Sequence, residues 1–161
     1  MNEIKHKTES LIDIHISNME DEKIEYIKTC DEGFTVSICK RNNFKELFDK
    51  INDKALFFAA KLEGEIAGYA VMYCNDFDGK QAYITLFGVK VEYQRQYIGT
   101  ILMTECIRYA RAQGMECIRL EVLNQDESVI RFYESCGFEM EGVASDISMY
   151  MINRFEGKEN R

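Results

Sequence analysis

VKVEYQRQYIGTILM, Val89–Met103, joins the end of an apolar strand, a short polar loop and the first turns of an amphipathic helix in one uninterrupted run. The strand leading into it is expected over Ala82–Val91, through Tyr83, Ile84, Thr85, Leu86, Phe87 and Val89, long and apolar enough to be central in a sheet. The helix leaving it sets Ile98, Ile101, Leu102, Cys106, Tyr109 and Ala110 on one face and stops at Gly114. A junction of this kind attracts anions. The N–H groups of a first helical turn have no partner within the helix, and the helix dipole adds positive potential there. Gly99 lets a phosphate come close to the backbone, and the Thr100 hydroxyl is a further donor.

Working outward, the residues before this junction change period twice. Leu11–Ile16 alternates as a first strand, and Met19–Cys30, with Ile24, Tyr26 and Ile27, reads as a helix. Phe34–Arg41 reads as a loop; Asn43 then stands at an N-cap, with Phe44, Leu47, Phe48 and Ile51 at helical spacing behind it. LFFAAKLEGEIAGYAVMYC, 56–74, is two apolar β-type runs joined at Glu63-Gly64, a hairpin signal, and Asp78-Gly79 marks the turn into the central strand. Beyond the junction, Cys117–Leu123 is a strand with Ile118, Leu120 and Val122 on one face and Cys117, Arg119, Glu121 and Leu123 on the other. Ser128–Cys136 is a short helix closed by Gly137, and Phe138–Val143 and Asp146–Ile152 are two last strands. The order predicts an α/β fold with a mixed central sheet and helices on both faces, one domain over 1–155 and a frayed tail over 156–161.

Composition narrows the function. The 161 residues suit one domain with a real core. A formal net charge of −8 and a pI near 4.9 disfavour a nucleic-acid partner, whose phosphates need a basic surface, and mildly favour cationic ones. The six cysteines, at 30, 39, 74, 106, 117 and 136, form no C-x-x-C pair and have no histidine at ligand spacing, so no metal site is expected and they read as small apolar residues. His6 and His15 read as surface residues without partners. MNEIKHKTES has no apolar stretch after its lysines, and Ala55–Ala60 is too short for a bilayer. No membrane association is expected, and a reducing cytoplasm is the expected location.

Two motifs carry a family resemblance. Gln94-Arg95-Gln96-Tyr97-Ile98-Gly99 resembles the Q/R-x-x-G-x-G/A coenzyme A signature of the GNAT superfamily, in the required place after a strand. VIRFYESCGF, Val129–Phe138, is similar to its A-I-x-F-Y-x-x-x-G-F stretch. With the strand order, the resemblance covers about Ala55–Ile152. It implies acetyl-CoA as co-substrate and transfer of the acetyl group to a primary amine of a small amine, an amino sugar or a protein α-amino group. The rival reading is a catalytically silent module that binds acyl-CoA or a protein.

The resemblance also implies the site. Arg95, Gln96, Tyr97, Ile98, Gly99 and Thr100 would cradle the pyrophosphate, and Phe87, Gly88 and Val89 would offer backbone groups to the pantetheine, with Gly88 serving either that close approach or plain packing. Two positions depart from the pattern. Tyr97 replaces the first glycine of the loop, which a right-handed turn accepts and a positive φ does not. Asp126 stands where an asparagine usually meets the pantetheine, and an ionised carboxylate accepts but does not donate; Asn124 is the substitute.

For the chemistry, Tyr133 matches the tyrosine beside the coenzyme A sulfur and would act as general acid, since a phenol is protonated at neutral pH. Glu121, partly enclosed by sheet and substrate, is the candidate general base, directly or through water, or else a structural charge beside Arg119; Asp76 is the reserve. A backbone N–H near Val89 would face the oxyanion. Lys90, Arg95 and Arg108 either steer the phosphates or are ordinary surface residues. Ile147, Met149 and Met151 alternate so as to permit a homodimer through the last strands.

Overall fold

The structure, a computed structural model, describes residues 2–34 and 36–155; the tail expected over 156–161 lies outside them. Five α-helices are α1 (Asn2–Leu11), α2 (Glu20–Thr29), α3 (Phe44–Lys54), α4 (Ile98–Ala112) and α5 (Glu127–Ser135). Seven strands are β1 (Ile12–Ser17), β2 (Leu56–Leu62), β3 (Glu65–Asp76), β4 (Gln81–Val89), β5 (Cys117–Leu123), β6 (Glu139–Val143) and β7 (Ser148–Arg154). They form one mixed sheet in the order β1-β2-β3-β4-β5-β7-β6. The chain divides into two compact units, Met1–Met72 with Leu86–Cys106, and Tyr73–Thr85 with Ile107–Arg161.

In the first unit, the β2–β3 turn is the expected one. Glu63 and Gly64 have φ of 50° and 84°, and two central residues with positive φ match the twist of the flanking strands. Strand β2 is buried without a break from Phe57 to Ala60, so it shows no alternation. Phe57 stacks on Tyr69 at 5.2 Å and meets Tyr26 of α2 edge-on at 6.1 Å. Burying such a ring stabilises by about 2–3 kcal/mol. Phe48 and Ile51 are the buried residues of α3.

Helix α1 was not expected from the sequence, where its ten residues carry only Ile4 and Leu11 as apolar signal. Thr8 is the buried position, its hydroxyl donating to the Ile4 carbonyl at 2.9 Å, while Ile4 itself is exposed. Asn43 does precede α3, yet its side chain makes no capping bond. Val91, assigned above to the central strand, belongs instead to a 3-10 turn, Val91–Tyr93.

In the second unit, β4 pairs parallel with β5 from Gln81↔Cys117 to Ile84↔Leu120, and β5 pairs antiparallel with β7 from Cys117↔Arg154 to Leu123↔Ser148. Ile118, Leu120 and Val122 are buried, as their alternation predicts, with Met151 opposite Leu120. Helix α5 ends at Ser135 and is closed off by Gly137, φ 95°, with the Phe138 and Cys136 N–H groups both donating to the Tyr133 carbonyl at 3.0 Å. The last strand starts two residues later than Asp146, because 145–147 form a bend whose ends are tied by Ala144 and Ser145 N–H bonds to the Ser148 carbonyl, both 3.1 Å.

Candidate active site

Strand β4 ends where Lys90 N–H donates to the Ala67 carbonyl of β3 at 2.8 Å. The chain then makes its 3-10 turn, closed by Tyr93 N–H to Lys90 O at 2.9 Å, and Gln94 folds back to donate to the Val89 carbonyl at 3.3 Å. Ile98, the first residue of α4, is fixed in a buried cluster with Leu62 and Ala67, flanked by Val89 and Tyr93. Core packing therefore sets where the helix begins, and the N–H groups of its first turn point back toward the loop. Tyr97 closes that turn by accepting from Ile101 N–H at 2.9 Å.

The loop corrects one expectation. Tyr97 has a φ of 69° and Arg95 a φ of 67°, so the residue standing in place of glycine holds the left-handed conformation that was expected to be closed to it. The cost is about 1 kcal/mol. The anchoring of Ile98 on one side and the 3-10 turn on the other leaves the connection no wider route. Arg95 is exposed, while Gln96, Tyr97, Gly99 and Thr100 are partly buried and Gln96 donates to the Glu92 carbonyl at 3.4 Å. Lys90 is held by Glu92 at 3.4 Å and lies 5.6 Å from the centre of the Tyr93 ring. The donor set at this junction is main-chain N–H with nearby hydroxyl and guanidinium groups, which fits an anionic diphosphate.

Gly88 is buried, and its side-chain face is filled by the protein. A β-carbon there would lie 2.9 Å from Phe34 Cε2 and 3.1 Å from Tyr69 Cε1. Packing thus accounts for the glycine on that face. Phe87 and Val89, its neighbours, are partly buried. Nothing in the sequence singled out Phe34, which lies in a loop without periodicity.

Tyr133 is the buried residue of α5, 8% exposed, between the rings of Phe132 at 5.4 Å and Phe138 at 5.7 Å. Asp126 sits at the N-cap of α5, its carbonyl accepting from Ile130 N–H at 2.9 Å, and Asn124 is exposed, its N–H bonded to the Ile147 carbonyl at 2.8 Å.

Glu121 is exposed on β5, on the face opposite the buried Ile118, Leu120 and Val122. Its carboxylate accepts from the buried Ser148 hydroxyl at 2.6 Å, a partner that the sequence reading missed. Arg119 is bonded to Glu141 and stacks 3.8 Å over the Tyr150 ring. Burial pushes the Tyr83 phenol above its ordinary range, and the negative charges of Glu121 and Tyr150 add to the shift while Arg119 opposes it. Asp76 is exposed and accepts the Gly79 N–H at 2.9 Å, the role of a turn residue.

Other expectations are also adjusted. His15 contacts Glu22 at 3.1 Å and His6 contacts Glu9 at 4.0 Å, so both histidines have carboxylate partners. Cys30 and Cys106 are buried and the other four cysteines are partly so. Met151 is fully buried, Met149 partly buried and Ile147 exposed, which removes Met151 from the apolar stripe suggested for a dimer. Among the described residues, no three His, Cys, Asp or Glu are grouped to hold a metal ion, and no helix is long and apolar enough to cross a membrane.

Comparison with known proteins places these features. Residues 19–138 match the model of the Acetyltransferase (GNAT) family. The chain is 24% identical over 121 residues to a Xenopus laevis protein named Probable N-acetyltransferase camello, covering 74% of this chain and 54% of that one. It is 29% identical over 100 residues to an uncharacterized N-acetyltransferase of Methanocaldococcus jannaschii, covering 60% of this chain and 43% of that one. The chain thus spans about half the length of the curated relatives it matches. Its fold is similar to that of the PaiA N-acetyltransferase of Thermoplasma acidophilum, solved in complex with coenzyme A, with a TM-score of 0.72 and 19% identity over 89% of this chain and 99% of that one. Motifs, strand order and the match over three quarters of its length agree: the chain belongs to the GNAT family of acetyltransferases.

Proposed function

We propose that this chain transfers the acetyl group of acetyl-CoA to a primary amine. The observation that carries the proposal is the β4–α4 junction. There a strained loop with positive φ at Arg95 and Tyr97 delivers the chain to a core-anchored helix start at Ile98. The main-chain N–H groups of Ile98, Gly99 and Thr100 bind the diphosphate, and Arg95, Gln96 and Tyr97 shape the loop around it. Backbone groups of Phe87, Gly88 and Val89 hold the pantetheine, and the Val89 N–H faces the carbonyl oxygen as negative charge develops on it. When bound, the thioester supplies an acyl carbon open to attack and a thiolate leaving group.

The chain's own residues manage the protons. An alkylammonium, with an ordinary pKa of about 10.4, must lose a proton before it can attack. Glu121 takes that proton, directly or through water, and its exposure leaves it open to an acceptor. Tyr133 gives its phenolic proton to the departing thiolate. Asn124 and Asp126 are the polar residues of the β5–α5 connection offered for the cofactor arm. The net charge of −8 favours cationic acceptors such as small amines, amino sugars or protein α-amino groups. The location proposed is the cytoplasm.

Release of free thiol from acetyl-CoA on addition of an amine panel tests the proposal. Enzyme-dependent release that falls steeply in Tyr133→Phe, while the thermal shift caused by coenzyme A persists, is the expected result. A thermal shift without thiol release for any amine would identify a binding module instead.

A further inference from the structure

We infer that Ser148, with Ser145 behind it, positions Glu121 for its role as base; this rests on the proposed function of that carboxylate. The Ser148 hydroxyl lies 2.6 Å from Glu121 Oε2 and donates to it. Ser145 Oγ lies 2.7 Å from Ser148 Oγ, and the Ile147 N–H donates to Ser145 Oγ at 3.2 Å. The direction of the chain follows from proton counting. A serine hydroxyl has one proton; that of Ser148 is committed to the carboxylate, so Ser145 must donate to Ser148. Every link then points the same way, from Ile147 N–H through two hydroxyls to Glu121, and aligned donors polarise one another.

The arrangement has two consequences. It holds the carboxylate in one orientation. It also occupies Oε2, leaving Oε1 for the amine. Ser148 is held by burial, only 3% exposed, and the bend that carries the exposed Ser145 is closed by two bonds to the Ser148 carbonyl. Other charged or titratable groups around Glu121 are already engaged or neutral. Tyr150 is its register partner on β7 and carries the Arg119 guanidinium over its ring. Arg119 is bonded to Glu141 of β6, and Tyr83 of β4 keeps its proton because burial raises it.

The test compares Ser148→Ala, Ser145→Ala, Ser148→Thr and Glu121→Gln in the full chain. The first readout is kcat and KM for acetyl transfer, taken separately. The second is the melting temperature. Ser148→Ala should lower kcat about tenfold with little change in KM for acetyl-CoA. Ser145→Ala should lower kcat by less, and Ser148→Thr should restore it. A purely structural serine would lower the melting temperature and leave kcat of the folded protein alone. If Glu121→Gln keeps the parental kcat, Glu121 is not the base and the inference falls with that assignment. If Glu121→Gln is inactive but Ser148→Ala keeps the parental kcat, the positioning role alone is overturned.

Discussion

The ring of Phe34 packs against the backbone of Gly88 where a side chain would begin, 2.9 Å from the position of a β-carbon. The contact joins the loop after α2 to the end of the central strand, beside Val89. Gly88→Ala should therefore push on two rings at once, Phe34 and the fully buried Tyr69. Overpacking of this kind costs about 1–3 kcal/mol. Chemical denaturation should show that loss in Gly88→Ala. A Phe34→Ala background should recover part of it, because one of the two colliding rings is then gone.

Tyr97 supplies a second prediction through its φ of 69°. Glycine occupies that region without steric cost, whereas a β-branched residue is the worst choice for it. Tyr97→Val should be less stable than Tyr97→Gly by about 1–2 kcal/mol, measured by urea unfolding. Tyr97→Gly should also retain the thermal shift produced by coenzyme A, since the loop path is the one glycine prefers.

The sequence made the strand order, the Glu63-Gly64 hairpin and the β4–α4 junction legible because each is written in short-range chemistry: apolar period, turn residues, a helix face. Helix α1 was hidden because the residue it buries is Thr8, which does not register as apolar, while Ile4 is exposed and Leu11 only partly buried. The sign of φ at Tyr97 was missed for a different reason. It is imposed by the anchoring of Ile98 among Leu62 and Ala67, contacts distant in sequence. Ser148 escaped notice because its partner, Glu121, is 27 residues away and is reached only through the β5–β7 register. Candidate residues carried by motifs could therefore be named from the sequence, whereas a partner recruited by tertiary pairing, such as Ser148, could not.

The buried thiols give a pH prediction. Burial pushes Cys30 from its ordinary value of 9.0 up to about 12, with nearby Lys90 opposing the shift weakly. The folded chain thus keeps a proton that the unfolded chain releases. This contribution to stability is complete below about pH 9 and is lost as pH rises toward 12. Denaturant unfolding from neutral to strongly alkaline pH should show stability falling above pH 9, and less steeply in Cys30→Ala. At mildly alkaline pH, the Cys30 and Cys106 thiols should resist a thiol reagent until the protein is unfolded, since the thiolate is the reactive form.

The most direct test of the account is binding of coenzyme A to the β4–α4 junction, followed by amide NMR of the titrated protein with calorimetry in parallel. The account predicts saturable binding, with the largest amide shifts at Ile98, Gly99 and Thr100 and in the preceding loop from Arg95. Absence of binding, or shifts centred away from this junction, would contradict it.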